Sequence, residues 1–181
     1  MNDYCLLLNT DIPPLKEGVV ITNQLEHHRQ LSMDIVNPDL LAWLDSLDIV
    51  LADFVEVFHW KQGESGGLHV DHHEGDFVKL NYVYGGDGSS TNWYQKKDPA
   101  PKQAVQTVIN STTFFYKFDE VEKIHSEHVV GPCILQVGIP HQVVNGNIEG
   151  RHTLCFVPQF KDGSFISMAQ AQEIFSSYIK E

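Results

Sequence analysis

Residues 53–71 read DFVEVFHWKQGESGGLHVD. Asp53–Trp60 sets β-branched and aromatic side chains side by side with no glycine or proline among them, which predicts a strand. The polar, glycine-containing run that follows predicts a turn. His69, Val70 and Asp71 then open another strand. Alternate residues of a strand point the same way, so His69 and Asp71 present an imidazole and a carboxylate to one face. The pair Gly66-Gly67 just before them lets the backbone bend close to that face.

Outward from this stretch the signal stays β. Phe77–Tyr84 (FVKLNYVY), Ser111–Phe118 (STTFFYKF), Cys133–Val137 (CILQV) and Arg151–Val157 (RHTLCFV) share its composition, with Gly, Pro, Asn and Asp clusters between them. Short strands at this density predict a sandwich or barrel. Two helices flank them. Asn37–Leu47 has Pro38 in its first turn and Leu40, Leu41, Leu44 and Leu47 on one face. Near the end of the chain, Ser167 and Gln170 form a capping-box pattern, and Met168, Ala171, Ile174, Phe175 and Tyr178 recur at helical spacing.

With 181 residues, no internal repeat and no linker, the chain is expected to be a single domain over residues 1–181, its core at about 53–157. Cys5, Cys133 and Cys155 are odd in number and widely spaced, so a disulfide framework is not expected and a reducing cytoplasm is the default. Asp3 stands where a signal peptide has basic residues, and the apolar run Cys5–Leu8 is too short for one. No run approaches the ~18–20 apolar residues of a membrane helix, so no membrane association is expected. A net charge of −12 repels phosphate backbones and disfavours nucleic acid as a partner. The unusual count is histidine, with 10 residues.

A metal held by His69 and Asp71 needs a third ligand. Residues 131–157, GPCILQVGIPHQVVNGNIEGRHTLCFV, read as strand, turn and strand, with Asn145-Gly146-Asn147 at the tip. A hairpin centred on Gly146 sets His141 opposite Arg151, with Thr153 on the same face as Arg151. An imidazole beside a guanidinium and a hydroxyl makes a carboxylate socket, because arginine holds a carboxylate bidentately. Two histidines and one carboxylate on one face of an octahedron leave three positions open, the arrangement of non-haem Fe(II) oxygenases.

On these residues the chain resembles the Fe(II)- and 2-oxoglutarate-dependent dioxygenases, nearest in style to their prolyl 4-hydroxylase-like branch. The family's His-x-Asp, long gap, His motif falls on His69, Asp71 and His141. Its basic residue about ten positions after the distal histidine falls on Arg151, and Arg151-His152-Thr153 preserves the hydroxyl of an Arg-x-Ser pattern. LNYVYGGDGSSTNWY, residues 80–94, resembles the strand, Gly-Gly and Thr-x-aromatic segment that follow the iron motif. The resemblance spans roughly residues 53–157. It implies a mainly β, double-stranded β-helix (jelly-roll, cupin-like) fold with flanking helices. It further implies Fe(II), O2 and 2-oxoglutarate, with ascorbate as a stimulant, and hydroxylation of a C–H bond with release of succinate and CO2. The metal and catalytic set is then His69, Asp71 and His141, and the co-substrate set Arg151, Thr153 and Tyr82.

Other residues are read more plainly. Tyr82 and Tyr84 share one face of their strand, and Lys79 and Asn81 the other; which face looks inward is open at this level. Tyr82 is a co-substrate candidate because related enzymes use a tyrosine on that strand. Trp93 and Tyr94 read as core, Asn145 as a turn residue bracing the hairpin, and His27 and His28 as solvent-facing. His72 and His73, next to the iron motif and Glu74, suit a supporting or lid role. His125-x-x-His128 suits a metal only if helical, and its neighbours argue for strand or turn.

Two other functions fit parts of the pattern. A small metal-binding cupin without 2-oxoglutarate accounts for Gly138-x-x-His141-x-x-x-Asn145 but leaves Arg151 without a job. A non-catalytic β-sandwich binding module accounts for the strands but needs no metal set. The expected substrate is a protein or peptide side chain or a small metabolite; nothing in the sequence indicates an oligomeric state.

Overall fold

A computed structural model describes residues 2–21, 28–71, 75–97, 103–106, 112–146 and 150–180. In chain order its elements are β1 (Cys5–Leu7), β2 (His28–Ser32), α1 (Pro38–Asp45), β3 (Ile49–Leu51), β4 (Phe54–Trp60), β5 (His69–Asp71) and β6 (Val78–Gly85). There follow β7 (Ser90–Lys96), β8 (Gln103–Gln106), β9 (Thr112–Phe115), β10 (Val121–Glu127) and β11 (Gly131–Gln136). The chain continues through β12 (His141–Val144), β13 (Arg151–Phe156), β14 (Pro158–Phe160) and α2 (Met168–Ile174). The fold is a mainly β jelly-roll sandwich. One six-stranded sheet runs β1-β11-β6-β13-β4-β2, the other β10-β7-β12-β5-β9-β8, and β14 pairs with β3 apart from both.

Alternation in the first sheet separates two environments. On β4, Val55 and Val57 turn outward, while Glu56, Phe58 and Trp60 turn into the sandwich. On β6, Val78, Leu80 and Tyr82 turn outward and Lys79 and Asn81 inward. On β13, Leu154 and Phe156 turn outward and Arg151, Thr153 and Cys155 inward. The outward set joins Leu40 and Leu44 of α1 and Met168, Ala171 and Phe175 at α2 in one apolar core. Burying such side chains contributes on the order of 2 kcal/mol each, so this layer anchors the sheet. The inward face of the same sheet is then free to carry polar chemistry.

The helices form for the expected reasons. Asn37 caps α1 by accepting from Asp39 N–H at 3.0 Å, with Pro38 in the first turn. Leu40 and Leu44 are buried, but Leu41 is 39% exposed, so the apolar face is narrower than the leucine spacing predicts. Ser167 and Gln170 make the capping box of α2, which stops at Ile174 and gives way to a 3-10 turn, Ser176–Tyr178.

The region around Gly146 departs from the expected hairpin. β12 pairs with β5 and β7 in one sheet, and β13 pairs with β4 and β6 in the other. Each strand already has two ladder partners, so the chain between them crosses the sandwich instead of folding back on itself. His141 and Arg151 are therefore not cross-strand neighbours. Residues 147–149, at the expected tip, lie outside the described residues. Asn145 is fully buried and donates to the Trp60 and Lys61 carbonyls at 3.1 and 3.0 Å, so it braces one sheet against the end of β4 in the other. Among the described residues no helix is long and apolar enough to cross a membrane.

Candidate metal centre

β5 and β12 are antiparallel neighbours with His69 directly opposite His141. Cross-strand partners lie side by side on one face, and the two imidazole centroids are 4.5 Å apart. Asp71 is two residues along β5 from His69 and so shares its face. One ligand atom from each of His69, Asp71 and His141 lies within 4.8 Å of the others, the one such cluster among the described residues. The donor set fits a divalent transition metal: two imidazoles and a carboxylate converge from one side.

Each imidazole is aimed by its other nitrogen. His69 Nδ1 donates to the Gly67 carbonyl at 2.7 Å, and His141 Nδ1 donates to the Ile139 carbonyl at 3.0 Å. This leaves Nε2 of both rings toward the site, the arrangement that second-layer bonds impose on metal-binding histidines. Gly67 is needed here: a Cβ on it would lie 2.8 Å from the Phe115 ring. Gly86, at φ +73°, plays the matching part for Arg151, whose Cβ would be 2.9 Å from a side chain at that position.

Asp71 is held from behind by Lys79, a residue that the sequence pattern did not place in the site. Lys79 Nζ bonds Asp71 Oδ2 at 2.7 Å and also bonds Glu56. Both Lys79 and Glu56 are 2% exposed. Burial works against the charge on each, yet the carboxylates on either side raise the Lys79 pKa, and Lys79 first and His28 second bring Glu56 below its usual value. Asp71 sits well below the carboxylate range, where the charge of Lys79 and the bond from His69 outweigh burial. Its Oδ1, 3.1 Å from His69 Nε2, is thus ionised and turned toward the metal position.

Lys79→Met is expected to destabilise the metal-free protein by roughly 3–5 kcal/mol, because it leaves two buried carboxylates facing each other without a cation. Urea unfolding measures this; a loss under about 1 kcal/mol would show that the ammonium does not neutralise the pair.

The two histidines differ in protonation. Burial lowers the His69 pKa, but Asp71 outweighs it and the value ends above 6.5. Burial and the neighbouring His69 push His141 down to about 4. A metal must therefore displace a proton from His69 but not from His141. Metal affinity should fall with a one-proton slope as pH drops through the raised His69 value and should not steepen until about pH 4, where His141 titrates. Calorimetric metal titrations between pH 8 and 5 check it, and a two-proton slope in that range would contradict the assignment.

Two adjoining chambers meet at His69 and Asp71. The first, about 60 Å³, runs from His69, Asp71 and His141 to Arg151, with Asn81, Thr91, Thr153 and Cys155 along its walls. The second, about 150 Å³, shares His69, Asp71, Lys79, Phe58 and Trp60 with it and extends to His28, Glu56, Thr113 and Phe115. The structure thus brings Arg151 and Thr153 to the same cavity as the triad, although from the opposite sheet. Tyr82 is not there. It points to the other face of β6, against Phe156 in the outer core, and lines neither chamber. Lys79 and Asn81 face the cavity in its place, because the apolar residues of β6 are needed under the helices.

The remaining candidates sort simply. Trp93 and Tyr94 are buried, Trp93 Nε1 donating to the Gln136 carbonyl at 2.7 Å. His125 lies on β10, and His128 Nδ1 bonds the Ser89 carbonyl. All three cysteines are buried and free. His28 does not face solvent: it stacks on Phe58 at 4.1 Å on the wall of the second chamber. The cross-strand partner that covers it could not be read from its polar sequence neighbourhood. His27, His72, His73 and Glu74 lie outside the described residues.

No protein-family model matches the chain, and no curated protein does. Among solved structures, oxalate decarboxylase from Bacillus subtilis is 16% identical, with 66% of this chain and 27% of that chain covered and a TM-score of 0.33. Vicilin from Capsicum annuum is 14% identical, with 94% of this chain and 44% of that chain covered and a TM-score of 0.36. The chain spans less than half the length of either.

Proposed function

We propose that the protein is an Fe(II)- and 2-oxoglutarate-dependent oxygenase that hydroxylates a C–H bond of a protein or peptide side chain or of a small metabolite, releasing succinate and CO2. Arg151 carries this reading. Its side chain is 1% exposed, and its Nε and Nη1 have no hydrogen-bond partner. Its one contact is Nη2 to Thr91 Oγ1 at 3.4 Å, and no carboxylate pairs with it among the described residues. A buried cation left without an anion costs several kcal/mol. Burial lowers the Arg151 pKa, but a guanidinium stays charged at any physiological pH. The arrangement suits an anion that arrives from outside, and the same cavity ends at the triad.

A keto diacid would suit both ends, with one carboxylate at Arg151 and the other end toward His69, Asp71 and His141. Iron supplies the redox chemistry that activates O2. The chain's own residues do the rest. His69, Asp71 and His141 would hold the ion. Lys79 occupies Asp71 Oδ2, so a single carboxylate oxygen would be offered to it. Arg151 orients the distal carboxylate with Thr153 beside it, and Leu135, Val137 and Cys155 give the chamber a largely apolar wall that limits water. Thr153→Val should weaken 2-oxoglutarate binding by about 1 kcal/mol, roughly fivefold. An unchanged dissociation constant would remove Thr153 from the contact.

The size of the chamber favours a second reading. At about 60 Å³ it is the smaller of the two, a size that suits an anion shorter than 2-oxoglutarate. A metal-binding jelly-roll protein that does not use 2-oxoglutarate matches that. Titrating the anaerobic Fe(II) complex with 2-oxoglutarate separates the two. The oxygenase reading expects a metal-to-ligand absorption band, and succinate once O2 is admitted. Absence of both favours the second.

A further inference from the structure

The second chamber shares Phe58, Trp60 and the inner end with the first and adds His28, Glu56, Thr113 and Phe115. β4 sends Glu56, Phe58 and Trp60 into it as one alternate row, and β9 in the opposite sheet sends Thr113 and Phe115. His28 of β2 stacks on Phe58, and His69, Asp71 and Lys79 close the inner end. The mouth is marked by Phe115, 37% exposed. Three aromatic side chains thus line a space that also holds two carboxylates, Glu56 and Asp71, with the Lys79 ammonium bonded to both.

Glu56 has Lys79 on one oxygen and His28 near the other, with acceptor positions left over. Lys79 bonds Glu56 Oε2. Oε1 faces His28 Nε2 at 3.5 Å, and that nitrogen has no hydrogen-bond partner of proper geometry. A carboxylate accepts about four hydrogen bonds. Lys79, moreover, is shared with Asp71, so one ammonium serves two carboxylates. Aromatic faces attract cations through the ring quadrupole, and a desolvated carboxylate beside them adds a charge-assisted bond. An anion would meet Glu56 head-on.

We infer that this chamber binds a primary ammonium group carried on a short hydrocarbon stem, the ammonium at Glu56 Oε1 and the stem between Phe58, Trp60 and Phe115. As a statement about substrate it rests on the oxygenase reading, because the stem then lies against the metal triad; as a statement about binding it does not. The same head group occurs on a free alkylamine and on a lysine side chain.

The test is calorimetry on the full chain loaded anaerobically with Fe(II), using n-butylammonium and n-butanol, which share a stem and differ in head group. The ammonium should bind at least about tenfold more tightly than the alcohol, the worth of one charge-assisted hydrogen bond. Glu56→Gln should bring the ammonium to within about threefold of the alcohol. A preference that survives in this variant takes the amine away from Glu56 and overturns the inference, as does equal or tighter binding of butanol to the unaltered chain. Should Glu56→Gln fail to fold, Phe115→Ala at the mouth replaces it: it should weaken all stems but the ammonium most, and unchanged ammonium binding would also overturn the inference. A lysine blocked at both ends, run alongside, binds more tightly than n-butylammonium if the group comes from a peptide and less tightly if it comes from a free amine. The 2-oxoglutarate absorption band is recorded on the same samples. Ammonium preference without the band sinks the oxygenase reading alone; the band without the preference sinks this inference alone.

Discussion

On the proposed reading, Arg151→Ala is expected to lower affinity for 2-oxoglutarate by roughly 2–5 kcal/mol, about 30- to 4000-fold, the loss of a buried charge-assisted pair. Metal affinity stays near normal, because Arg151 comes from the opposite sheet and contributes no ligand atom. Arg151→Lys is intermediate: it keeps a charge but loses the planar fork. The same variant separates binding from structure. In the absence of ligand, Arg151 is a buried cation with two unsatisfied nitrogens. Its removal relieves desolvation and should leave the melting temperature of the ligand-free protein unchanged or raised. A purely structural arginine would do the reverse, lowering stability without moving the 2-oxoglutarate titration. The absorption band of the anaerobic Fe(II) complex and a thermal melt give both readouts. Unchanged 2-oxoglutarate affinity in a folded Arg151→Ala protein removes the proposed anchor.

Asp71→Ala is the second large effect expected: on the proposed reading Fe(II) binding should fall below detection while the sandwich remains folded. Asp71 contributes the only carboxylate of the triad, and alanine offers neither its oxygen nor its charge. The fold tolerates the change because β5 is held by its ladders to β9 and β12 and not by this side chain. Lys79 keeps Glu56 as a partner, so no buried charge is stranded. Here Asp71 and Lys79 part company: loss of the lysine is read in stability, loss of the aspartate in metal affinity. Full-strength iron binding by a folded Asp71→Ala protein would dismantle the triad.

Several features of the site were legible in the sequence because their causes are local. His69-x-Asp71 share a face in any strand, and a glycine pair before them marks a close backbone approach. The Asn37 and Ser167 caps follow from residues a few positions apart. Others were not legible. The expected hairpin at Gly146 failed because turn residues say that a chain bends and not which sheet receives it. Tyr82 was a reasonable candidate on a strand where both faces carry polar atoms, and its exclusion came from the apolar layer under the helices. His28 looked solvent-facing among polar neighbours, and Phe58, 30 residues away, covers it.

By itself, then, the sequence determined that the chain is mainly β with a helix toward each end, and that an imidazole, a carboxylate, a distant imidazole and an arginine are available for one site. These rest on period-two patterning and short-range spacing, which hold wherever the strand is placed. Only the tertiary structure decided which face of β6 turns inward and that His141 meets His69 across a ladder. It alone set Arg151 opposite them from the other sheet and tied Lys79 between Asp71 and Glu56. The physical reason is that a strand's alternation is symmetric between its two sides. The choice is made by long-range pairing and by where the apolar layer must be buried, and buried charges take whatever partners that choice brings within reach.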